Sequence, residues 1–140
     1  MVSDYMLTGS GSQLWTSRIL TFIVTLAFLG SAATKLFHVP NVVHELTRAG
    51  LPDNSIVPIG VLELSLLVLY LYHRTSVLGT FLLTGYLGGA IITHIVGKQS
   101  FAPPLVVGLL MFAASYFRNA PLRQLVPMRQ DAEIQRSSKH

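Results

Sequence analysis

No cysteine occurs anywhere in the 140 residues. That absence excludes disulfides, thiolate metal sites, Cys-ligated iron–sulfur clusters and thiol catalysis, so any redox role needs a bound cofactor or another subunit. Charge is nearly as scarce. Only 11% of residues are Asp, Glu, Lys or Arg, against roughly 25% in soluble domains. Gly-rich strand-to-helix turns are missing, which excludes phosphate loops and nucleophile elbows. No His pair has metal-ligand spacing on a helix, so no metal site is expected. The net charge of +4 comes without a base-reading motif, and nucleic acid is not an expected partner.

What the chain has instead is apolar length, with 51% of its residues hydrophobic. Four runs stand out: Ile19–Thr34, Ile56–Tyr72, Ser76–Val96 and Leu105–Phe117. A straight span needs about 20 apolar residues. The first and last fall short of that, and Arg18, Lys35 and Arg118 at their ends would snorkel to the interface. The runs are apolar nearly all round, whereas a soluble bundle shows polar stripes at a period of 3.6. The expected partner is therefore the lipid bilayer.

The connections support a compact arrangement. His73-Arg74-Thr75 is tight enough to make an antiparallel hairpin of the second and third runs. Pro103-Pro104 suits a first helical turn, where no amide donor is needed. In the one long loop, Val42, Val43, Leu46 and Ala49 share a helical face, with Gly50 and Pro52 as a stop. This stretch reads as a short interfacial helix, with Asp53 or Asn54 capping the next span. The expected fold is all-α: a four-transmembrane-helix bundle with a short interfacial helix between helices 1 and 2. Its expected parts are a flexible N-terminal segment (1–17), a membrane domain (18–120) and a basic tail (121–140).

Positive charge sets the orientation. Four spans place Arg18, Arg74, Arg118, Arg123, Arg129, Arg136 and Lys139 on one side and Lys35, Arg48 and Lys98 on the other. The positive-inside rule then puts both termini in the cytoplasm of a multi-pass protein, expected in a bacterial plasma membrane. Arg18, Ile19–Leu29 and Ser31-Ala32-Ala33 imitate a signal peptide. The 17 residues before them hold no Lys or Arg and include Asp4, so the segment reads as a span.

One residue is out of place. Glu63 is the only charged group in Ile56–Tyr72, and a carboxylate at bilayer depth costs several kcal/mol unless paired, protonated or facing water. It lies about 10 Å below the outer start of its helix. Lys35 and His94 fall near the outer ends of their helices, and Tyr86 matches Glu63 in depth. Lys35, Glu63, Tyr86 and His94 thus share the outer half of the bundle. Two readings compete: a polar staple between helices, or a pocket that binds a ligand or relays protons. Taken singly, Lys35 reads as an interfacial anchor and His94 as a boundary residue. Gly85 and Gly89, continued by Thr93 and Gly97, form a small-residue strip that suggests close helix packing within the chain, or a homodimer seam.

Four pieces in register resemble the DoxX-like family. They are Gly30-Ser31-Ala32-Ala33-Thr34-Lys35-Leu36, Ala49-Gly50-Leu51-Pro52, Gly60-Val61-Leu62-Glu63-Leu64, and Gly85-Tyr86-Leu87-Gly88-Gly89-Ala90 running into Thr93-His94. The resemblance spans roughly residues 18–125. It implies a four-helix membrane bundle with Lys35, Glu63 and His94 as motif positions, and assigns none of them a catalytic role. The family's founding member is similar to a subunit of a membrane thiosulfate:quinone oxidoreductase, and other relatives are linked to redox stress or membrane assembly. A quinone is the cofactor this would bring.

Without a recognisable catalytic set, the expected role is non-enzymatic: an accessory subunit, or one binding a small lipophilic ligand, in contact with a partner membrane protein or with its own copies. The alternatives are a membrane component of a quinone-linked oxidoreductase and an oligomeric transporter or channel.

Overall fold

A computed structural model describes residues 11–119 and Leu122. The described chain is helical, with no strand: α1 (Gly11–Leu36), α2 (Pro40–Arg48), a 3-10 turn (Asp53–Ser55), α3 (Ile56–Leu71), α4 (Ser76–Val96) and α5 (Ala102–Arg118). Residues 14–36, 53–71 and 76–96 are each long and apolar enough to cross a membrane, and Ala102–Arg118 is a shorter apolar helix.

α1 begins about two turns ahead of Arg18, so the helix runs on past the N-terminal end of the apolar run. Nothing between Gly11 and Arg18 breaks a helix. The expected basic tail lies outside the described residues, apart from Leu122.

Helix ends follow local chemistry. α5 opens on Pro103 and Pro104. α2 stops where Gly50 takes φ 90°, with Gly50 N–H donating to Thr47 O and Leu51 N–H to Leu46 O. Six-to-one closure of this kind satisfies the last carbonyls of a helix. His38 after α1 and Lys98 after α4 close their helices in the same way, at φ 53° and 56°. Asp53 and Asn54 do not cap α3. Ser55 stands at that position without a side-chain bond, and Asp53 Oδ1 instead lies 3.1 Å from His38 Nε2.

α1 packs against α3 and α5, and α4 packs against the same two, so the four longer helices close a ring. α2 touches α1 and the 3-10 turn near one end. That end, with the 97–101 connection, is the loop end; the opposite one carries the 73–75 turn. The core between the helices holds Val24, Phe28, Leu66, Leu67, Leu83, Leu87 and Met111. The outside is the reverse of a soluble surface. Phe22, Leu26, Val68, Phe81, Ile92 and Leu109 are all more than half exposed, an apolar coat of the kind that lipid covers.

Near the turn end, polar side chains tie α4 to α5. Ser76 Oγ donates to Asn119 Oδ1 at 2.8 Å, and Thr80 Oγ1 and Ser115 Oγ are 2.9 Å apart. Arg118 Nη2 donates to Tyr70 O at 2.6 Å, and its guanidinium lies 4.5 Å from the Tyr70 ring centre. It therefore caps a C-terminal carbonyl of α3 and stacks on the same residue. Arg118→Met is expected to lose about 1–2 kcal/mol, measured as a lower midpoint in detergent denaturation.

Candidate functional site

Glu63 is reached from both neighbouring helices. It is 1% exposed, on α3, midway between the loop end and the turn. Lys35 Nζ, from the last turn of α1, lies 2.8 Å from Glu63 Oε2. Tyr86 on α4 donates its hydroxyl to the same oxygen at 2.9 Å. Lys35 also donates to Ser31 Oγ at 2.6 Å and reaches Ser31 O at 3.3 Å. The three ammonium protons are thereby matched by three acceptors.

Close helix approach makes this reach possible. A Cβ on Gly60 would sit 3.1 Å from Lys35 Cβ and 3.3 Å from Ala32 O, so α3 lies directly against the last turns of α1, one helical turn before Glu63. At the turn end, a Cβ on Gly79 would overlap the Tyr70 backbone. From that contact the register runs two helical turns to the site. Tyr70 follows Glu63 by seven residues, and Tyr86 follows Gly79 by seven, which is about 10 Å along each helix.

Gly85 and Gly89 do not make this approach. A Cβ on either meets nothing within 4 Å, and both are exposed along a half-open cavity of about 640 Å³. The close packing expected of them within the chain occurs at Gly60 and Gly79 instead.

The cavity brings together Lys35, Glu63, Tyr86 and His94. Three of these four form the bonded cluster. His94 does not join it: its Nδ1 lies 2.8 Å from Ala90 O, one turn back on α4. A carbonyl only accepts, so Nδ1 carries a proton. Nε2 has no partner among the described residues. Glu63 Oε1 likewise accepts no hydrogen bond among them. Glu63, which lines the cavity, thus has one bonded and one free carboxylate oxygen.

Glu45 and Gln99 also line the cavity, and sequence reasoning missed both. For Glu45 a signal existed, since Val42, Glu45 and Leu46 recur at three- and four-residue steps and share one face of α2. For Gln99 none did. Its backbone N–H closes the end of α4 on His94 O at 2.8 Å, which folds it back over the site.

Spans of membrane length under a lipid-type surface define an integral membrane protein. A family model for the DoxX-like family matches residues 19–115, and the chain belongs to that family. No curated protein and no solved structure matches it.

Proposed function

We propose that this is a four-transmembrane-helix bundle whose cavity holds a small lipophilic ligand, with Lys35, Glu63, Tyr86 and His94 as the polar end of the binding site. In this reading α2 lies in the interface over the loop end, the loop end faces outward, and both termini are cytoplasmic. The protein acts as a non-catalytic accessory or ligand-binding subunit. One observation carries the reading: a buried ion pair leaves a carboxylate oxygen free on a cavity of ligand size. A pure staple would spend both oxygens on helix contacts. Pockets for small molecules run to about 300–1,000 Å³ and combine an apolar wall with a few polar groups, as this one does.

Native mass spectrometry from mild detergent tests the pocket. The wild-type protein is expected to carry a small lipophilic adduct that Ala90→Trp, which fills the cavity, loses. An equal adduct on the filled variant, or none on the wild type, contradicts the pocket. The absence of cysteine makes orientation easy to read. On intact cells, an impermeant maleimide should label Ser100→Cys but not Ser138→Cys, and the reverse pattern would invert the topology.

A further inference from the structure

The hydrogen-bond roles left open at the Glu63 end of the cavity define what can dock there. Glu63 Oε2 is filled by Lys35 and Tyr86, so only Oε1 remains, and any polar group that meets it must donate. Ser31 Oγ, 2.6 Å from the same ammonium nitrogen, accepts from Lys35. Its own proton has no acceptor among the described residues. The remaining roles are one strong acceptor on Glu63 and one donor on Ser31. A hydroxyl supplies both, donating to Oε1 and accepting from Ser31. A carbonyl or an ether can only accept.

Charge narrows the class further. Lys35 and Glu63 neutralise each other at a depth where an uncompensated charge costs several kcal/mol. A cation or an anion seated there would leave the buried cluster unbalanced, so the head group is neutral. The wall beside it is open along Gly85 and Gly89, where no side chain stands between backbone and cavity. That leaves room for a flat or slender apolar body.

We infer that the cavity selects neutral lipophiles bearing a hydroxyl, seated with the hydroxyl donating to Glu63 Oε1. This inference rests on the ligand-pocket reading above and specifies its chemistry. A hydrogen bond to a charged group contributes about 1.5–3 kcal/mol, which corresponds to roughly tenfold or more in affinity.

The test compares 4-nonylphenol with its methyl ether, 4-nonylanisole, by equilibrium dialysis against the protein in lipid nanodiscs, with empty nanodiscs subtracted. The phenol is expected to bind at least about tenfold tighter than the ether. In the double variant Lys35→Met/Glu63→Leu, which removes the charges together, the two probes should bind equally. Equal binding to the wild-type protein overturns the hydroxyl inference while leaving the pocket standing. A tenfold preference that persists in the double variant places the donor contact away from Glu63 and also overturns it. If neither probe binds above empty nanodiscs, the pocket reading falls and the inference with it.

Discussion

Lys35→Met is expected to destabilise the protein by about 3–5 kcal/mol, the range measured when one partner of a buried ion pair is removed. Glu63→Leu should cost less. The asymmetry follows from reach. A lysine near the end of α1 can swing its ammonium toward the interface once the carboxylate is gone. The short stem of Glu63, midway along α3, has no such escape, and Tyr86 alone remains to bond it. Removing both charges together should cost less than Lys35→Met alone, because no unpaired ion is left behind. The double-mutant cycle, measured by reversible unfolding in mixed micelles, is therefore expected to give a large favourable coupling. Additive losses would mean that the two groups do not act as a pair.

Gly79→Ala should be as damaging as a charge deletion, although it adds only a methyl group. The new Cβ would overlap the backbone of Tyr70 and Leu69, and backbone cannot rotate aside as a side chain can. Forced overpacking typically costs about 1–3 kcal/mol, and this site belongs at the upper end. Separating α3 from α4 there also shifts Tyr86 relative to Glu63, two turns away. Gly85→Ala and Gly89→Ala are the controls. With nothing within 4 Å of either added carbon, each should be neutral or stabilising by up to about 1 kcal/mol through the helix preference of alanine. Thermal unfolding midpoints check all three, and equal losses at the three glycines would contradict the packing described.

The depth of the polar cluster was legible because it depends on counting. A four-residue link (72–75) between α3 and α4 sets an antiparallel hairpin, and in such a hairpin Glu63 and Tyr86 come level whatever the side chains between them. Lys35 was legible for a similar reason, as a long cationic side chain near the end of the adjoining helix. Rotation about the helix axis was not legible. An apolar helix presents no polar stripe to show which face turns inward, so Gly85 and Gly89 read as a packing face within the chain although nothing in the chain meets a Cβ on either within 4 Å. His94 lies at the expected level, but it bonds its own helix at Ala90 O, and no spacing rule separates that choice from a bond to Glu63. The early start of α1 was missed because hydropathy marks where a helix meets lipid, not where it begins.

Glu63 faces either an occupied cavity or a sealed helix contact. An experimental structure of the protein in lipid nanodiscs decides this most directly. Non-protein density is expected in the cavity, with one end within hydrogen-bond distance of Glu63 Oε1 and the Lys35 and Tyr86 bonds to Oε2 retained. Side chains closed over the cavity, with both carboxylate oxygens bonded inside the chain, would contradict it and leave Glu63 as a staple.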